Sequence, residues 1–137
     1  MMLIPSSNSI LRENLSFGIL PSKQHRMILQ GYRIIRQCDT LKAMEQTIFK
    51  ILGTERYKYI IYSWNYGIEL EDLFGQPVMY VCPELERRIK EALLQDDRIN
   101  AVDNFKFDVT SKRGTVFTTF TVHTIFGDLD EKIEVNI

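Results

Sequence analysis

The stretch from Thr54 to Leu73, TERYKYIIYSWNYGIELEDL, constrains the fold most, because Tyr57, Tyr59, Tyr62, Trp64 and Tyr66 crowd into it. Aromatic and β-branched side chains suit a pleated surface, so this run predicts a strand of about eight residues. Both parities carry bulk, Tyr57, Tyr59 and Ile61 on one side and Ile60, Tyr62 and Trp64 on the other. Such a strand needs cover on both faces. Asn65-Tyr66-Gly67 then supplies turn chemistry, with glycine free to adopt the positive φ of a tight reversal.

A chain of 137 residues is long enough for one domain with its own core. Seventeen Lys and Arg against eighteen Asp and Glu leave a net charge of -1, which argues against electrostatic capture of nucleic acid or a membrane surface. No apolar run approaches the ~20 residues that span a bilayer, and MMLIPSSNSILREN lacks the basic-then-apolar order of a leader. Synthesis in the cytoplasm is therefore expected. Cys38 and Cys82 stand far apart without paired spacing, which predicts buried or half-buried thiols.

Taken in order, residues 1–14 show no period and are read as an arm that stays loose until something binds it. Leu15, Phe17 and Ile19 alternate as a short strand ended by Pro21, and Arg26 to Gln37 form a second extended region with a Gln30-Gly31 turn. Asp39 or Thr40 can cap a helix over 39–52, whose stripe is Leu41, Met44, Ile48, Ile51 and Leu52 and whose terminator is Gly53. Ile68 to Phe74 reads as a helical turn or two closed by Gly75. The next helix lies between Gln76 and Gln95, with Pro77 or Pro83 in its first turn. Its apolar line is Leu85, Ile89 and Leu93, and Arg87, Arg88, Lys90 and Glu91 are expected to face water.

From Asp103 the period becomes two. Phe105, Phe107 and Val109 form one strand and Lys112-Arg113-Gly114 a turn. Val116, Phe120, Val122 and Phe126 hold one face of a long strand whose other face is threonine-rich. After Gly127-Asp128, Ile133, Val135 and Ile137 alternate with Glu134 and Asn136. The economical topology is a three-stranded antiparallel meander whose last strand is an edge. The fold class is α+β, one domain over 15–137, with N-terminal β segments, two main helices, the aromatic strand and the C-terminal meander.

Little here suggests catalysis. His25, read as sitting in a polar loop, and His123, on the threonine face, lack metal-ligand spacing, and no nucleophile elbow or phosphate-cradling glycine loop is present. No metal or cofactor is expected. Carboxylates at Glu69, Glu71, Asp72, Glu84, Glu86, Asp96 and Asp97 are the available acid–base groups, and a glycosidase would need two across a sugar-sized cleft. Asp96 and Asp97 more simply end a helix and hold Arg98 in a salt-bridge or hydrogen-bond network.

The succession Ile51-Leu52-Gly53, Thr54-Glu55-Arg56-Tyr57, Tyr62-Ser63-Trp64-Asn65-Tyr66-Gly67, Glu84-Leu85, Arg87-Arg88-Ile89, Ala92-Leu93-Leu94 and Asp97-Arg98-Ile99 resembles the baseplate wedge or sheath-initiator proteins of contractile phage tails. The version in Gram-positive prophages and phage-tail-like bacteriocins is the most similar, from about Leu15 onward. The resemblance implies a fold like the inner, strand-exchanging "handshake" domain of tail sheath proteins. It implies a structural role without enzymatic activity, joining the baseplate wedge to the sheath and nucleating sheath assembly by strand addition between subunits. In that family a Glu-Pro-Arg triplet helps docking onto the baseplate, and the matching positions here are Asp96, Asp97 and Arg98, with only the arginine retained. The implied partner-binding residues are those three together with Ile133, Val135 and Ile137 of the terminal strand. The implied partners are baseplate wedge proteins and the tail sheath protein, with tube or hub proteins as further neighbours, in a rotationally symmetric multi-copy assembly located at the baseplate of the finished particle. Some family members carry a lysozyme label, and a carboxylate-pair hydrolase is the alternative. A small binding module with an unrelated partner is a third.

Overall fold

Met44, Ile48 and Ile51 repeat at helical spacing and are buried on one side of α1 (Leu41–Leu52), which Gly53 ends. Thr40 occupies the position before the first turn but makes no side-chain cap; the Asp39 carboxylate instead accepts from the Thr40 N–H at 2.7 Å. Leu85, Ile89 and Leu93 form the equivalent stripe on α2 (Val78–Leu93), which starts after Pro77 and contains Pro83 in its second turn. The two apolar stripes and the Gly53 terminator agree with the sequence reading, whereas the expected Asp39 or Thr40 cap does not form and neither proline falls inside the first turn of α2. The computed structural model describes residues 18–19, 22–110 and 114–137. The expected arm over 1–14, Leu15 and Phe17 of the first strand, and Lys112-Arg113 of the turn lie outside them. Gly18 and Ile19, the described remainder of that strand, are not extended in a sheet.

Two antiparallel sheets complete the fold. β1 (Gln24–Ile28) and β2 (Arg33–Cys38) form a hairpin closed by a single 3-10 turn, Leu29–Gly31. His25 therefore lies in a strand, not a loop. β3 (Ile99–Thr110), β4 (Thr115–Thr124) and β5 (Gly127–Asn136) make the expected meander in the order β3-β4-β5. Val116, Thr118, Phe120 and Val122 of β4 face inward, because alternate residues of a strand share a face. Phe126, expected on the same strand, falls in the turn after it. Phe120 and Val122 meet Met44, Ile48, Ile51, Ile89 and Leu93 in the main core, and Val116 and Val135 join Leu73, Val81 and Leu85 in a second cluster. At about 25 cal/mol per Å² this shared apolar burial is what holds sheet to helices.

Two larger expectations also fail. The aromatic run is not a strand: Tyr57 to Gly67 pass through successive turns, and Ile60, Ile61 and Trp64 are 102%, 84% and 80% exposed. Both helices already cover the meander, so a run with bulk on both parities finds no surface to sandwich it, and a left-handed Tyr57 (φ 66°) breaks the extension at its start. Nor is Arg88 solvated. It is 8% exposed, its guanidinium bidentate on Asp72, where one contact measures 2.8 Å. It also donates to Glu84 at 3.0 Å and to the Glu69 carbonyl at 2.8 Å. A buried charge persists only when paired and hydrogen-bonded in this way, and here it ties the 3-10 turn Glu71–Leu73 to α2.

Candidate functional site

Asp96, Asp97 and Arg98 form the corner between α2 and β3. The Asp96 N–H donates to the Leu93 carbonyl and the Ile99 N–H to the Asp96 carbonyl, each at 3.1 Å, so the chain reverses without a proline. The Arg98 guanidinium grips Asp96 through Nε at 2.9 Å and Nη2 at 2.7 Å, and its backbone N–H donates to the same carboxylate at 3.0 Å. Burial pushes the Asp96 carboxyl up, and the bonds from Arg98 more than offset that, leaving it below its usual range. Arg98 also donates to Ser22 at 3.1 Å, and its carbonyl accepts from the Ile125 N–H at 3.0 Å. One residue thus joins the N-terminal segment, the α2–β3 corner and the β4–β5 turn. Asp97 alone of the three is exposed. Beside the corner opens a cleft of about 510 Å³ whose walls include Gln24, Lys50, Asn65, Tyr66, Asp96 and Arg98.

The terminal strand is an edge, as the alternation predicts. Ile133, Val135 and Ile137 do not project outward from it: Val135 is buried, and all three pack against the second core cluster. What that edge offers a partner is backbone. The meander's two edges differ. β3 is interrupted by register shifts at Ile99/Ala101 and at Asp103/Lys106, where Asn104 takes φ 54°. β5 runs against β4 without a break from Thr115↔Asn136 to Thr124↔Gly127. Bulges blunt an edge against pairing, whereas a long regular strand leaves it open.

The exposed aromatic loop is a surface that reading the sequence as a core strand missed. Its base is closed by the Glu55–Ile68 bridge, with Arg56 N–H to Ile68 carbonyl at 3.1 Å and Ile68 N–H to Thr54 carbonyl at 3.0 Å. The Glu55 carboxylate accepts from the N–H groups of Leu70 and Glu71, and Arg56 pairs with Glu91 at 2.9 Å. Rings pack on rings, Tyr62 on Tyr66 at 4.5 Å and Tyr57 near Trp64 at 5.9 Å. Closed ends and self-packed side chains make it an Ω-loop. The signal available in the sequence was the lack of any apolar period in a stretch too polar at Lys58, Ser63 and Asn65 to be doubly covered.

His123 does sit on the threonine face, held by Asp128 at 2.7 Å and Asp103 at 2.9 Å. Arginines hold Asp72 below its usual range and Glu84 at about 2, the reverse of what a general acid requires. Among the described residues no group of three or more His, Cys, Asp or Glu is placed to hold a metal ion, and no helix is long and apolar enough to cross a membrane.

The fold is an α+β domain with an unbroken edge strand, ion-paired carboxylates and an exposed aromatic loop. Residues 20–127 match the family model of the contractile injection system sheath initiator. The chain is also 38% identical over 114 residues, 80% of its length and 79% of the relative's, to the phage-like element PBSX protein XkdS of Bacillus subtilis strain 168. It belongs to the sheath-initiator family and is a structural component of a contractile tail.

Proposed function

We propose that this chain joins the baseplate wedge to the tail sheath and nucleates the sheath by accepting a strand along β5. The observation that supports this is the contrast between the two edges, β3 bulged and β5 unbroken over its whole pairing with β4. An added strand gains affinity from backbone N–H and C=O groups and register from alternating side chains. On β5 the outward row is Asp128, Asp130, Lys132 and Glu134, so a mating strand is selected by charge. Asp96, Asp97 and Arg98 form the wedge-docking corner, in which Arg98 shapes the turn and Asp97 meets the partner. The aromatic loop is a second contact, since Ile60, Ile61 and Trp64 each expose apolar surface on it that assembly would cover.

Contractile particles purified from cells making wild-type protein or Arg98→Ala, viewed by electron microscopy with mass spectrometry of the baseplate fraction, test this reading. The expected result is the chain at the baseplate and, in the variant, missing baseplates or unsheathed tubes. Absence of the chain from wild-type particles overturns it. In the same cells Glu69→Gln is expected to leave cell-wall cleavage unchanged. Loss of cleavage with the fold intact supports the hydrolase reading.

A further inference from the structure

β5 carries a charge where its pattern calls for an apolar residue. Leu129, Glu131, Ile133 and Val135 share the core-facing parity, and Glu131 is half-buried beneath α1, its carboxylate without a hydrogen bond or ion pair among the described residues. The charged groups that line the same clefts are Lys42 and Glu45 of α1, Arg26 of β1, and its own neighbours Lys132 and Glu134. Neither Arg26 nor Lys42 pairs with it, whereas the Glu45 charge opposes its ionisation. Glu131 also lines two clefts open to solvent, of about 230 and 320 Å³, so the seam between α1 and β5 is not sealed over it. An unpaired, half-buried carboxylate in that seam is an unstable joint once charged.

The opposite face of the same strand carries a second proton-dependent joint. His123 of β4 lies between Asp103 of β3 and Asp128 of β5, one ring nitrogen on each carboxylate. Only the imidazolium donates to both at once. The three residues therefore clasp all three strands while the ring is protonated, and deprotonation releases one side.

We propose that β5 is a proton-sensitive strand, docked when Glu131 and His123 are protonated and loosened on both faces when they are not. The two sites act in the same direction. Burial and the Glu45 charge raise the Glu131 carboxyl from 4.5 to about 7, so the docking it permits is complete below about pH 4.5 and lost as pH rises through about 7. Asp128 and Asp103 raise His123 above its usual 6.5, so its clasp is complete below that value and lost as pH rises through the higher one. At neutral pH the joint is already weakened at Glu131. This device goes beyond the assembly role and stands without it, since it is a property of the isolated chain.

Amide hydrogen exchange of the full chain, corrected for intrinsic rates, tests it at about pH 5.5 and about pH 8. Opening of β5 should increase about tenfold or more across that range, the size of one unit of pKa difference, while α2 amides hold steady. Glu131→Gln should remove the core-face part of the response, His123→Asn the other part, and the double variant all of it. Equal pH dependence in β5 and α2, or a full response surviving in the double variant, overturns the inference.

Discussion

At the scale of single residues, the fold depends on charges that close on themselves. Arg88 and Arg87 are adjacent in sequence, yet Arg88 is buried while the Arg87 side chain is 59% exposed on Glu84 and Glu91. Exposed pairs contribute little, whereas removing one partner of a buried pair costs several kcal/mol. Asp72 can recover water, its side chain being 60% exposed, so the cost here falls below the fully buried figure. Urea unfolding of Arg88→Leu should show a loss of about 2 kcal/mol, and Arg87→Ala a much smaller change. Equal losses would mean that the Arg88 network does not hold the 3-10 turn to α2. The pairing of Asp96 with Arg98 was legible in the sequence because the two are local. Arg88 reaches Asp72 sixteen residues away, and no local pattern announces that.

At the scale of elements, helices and meander were legible because each displays its own period. The aromatic loop was not, since β propensity describes fit to a half-buried pleated surface and says nothing of whether such a surface is free. Its shape rests on its base rather than its tip. Gly67 holds φ 92°, and a Cβ there would come within 2.5 Å of the Thr54 carbonyl oxygen. Gly67→Ala should therefore cost about 3 kcal/mol in urea unfolding or reopen the base, with Trp64 fluorescence reporting the change. A silent substitution would mean that the loop is not anchored there. The charge at Glu131 was also readable, as the one acid on the apolar parity of β5, once the alternation is extended back from Ile133.

At the scale of the whole molecule, the proposed docking surfaces lie at separate places on the fold: the Asp97 corner, the aromatic loop and the β5 edge. That distribution suits a part held between neighbours. The family match covers residues 20–127 and stops where β5 begins, so the case for strand addition rests on the edge itself: its unbroken register and its exposed alternating charges. The measurement that bears on it most directly is an electron cryo-microscopy structure of the baseplate region of particles containing this chain. The account predicts a sheath-protein strand running beside β5 and hydrogen-bonded to its free backbone. A bare β5 edge, with the sheath joined elsewhere on the molecule, would contradict it.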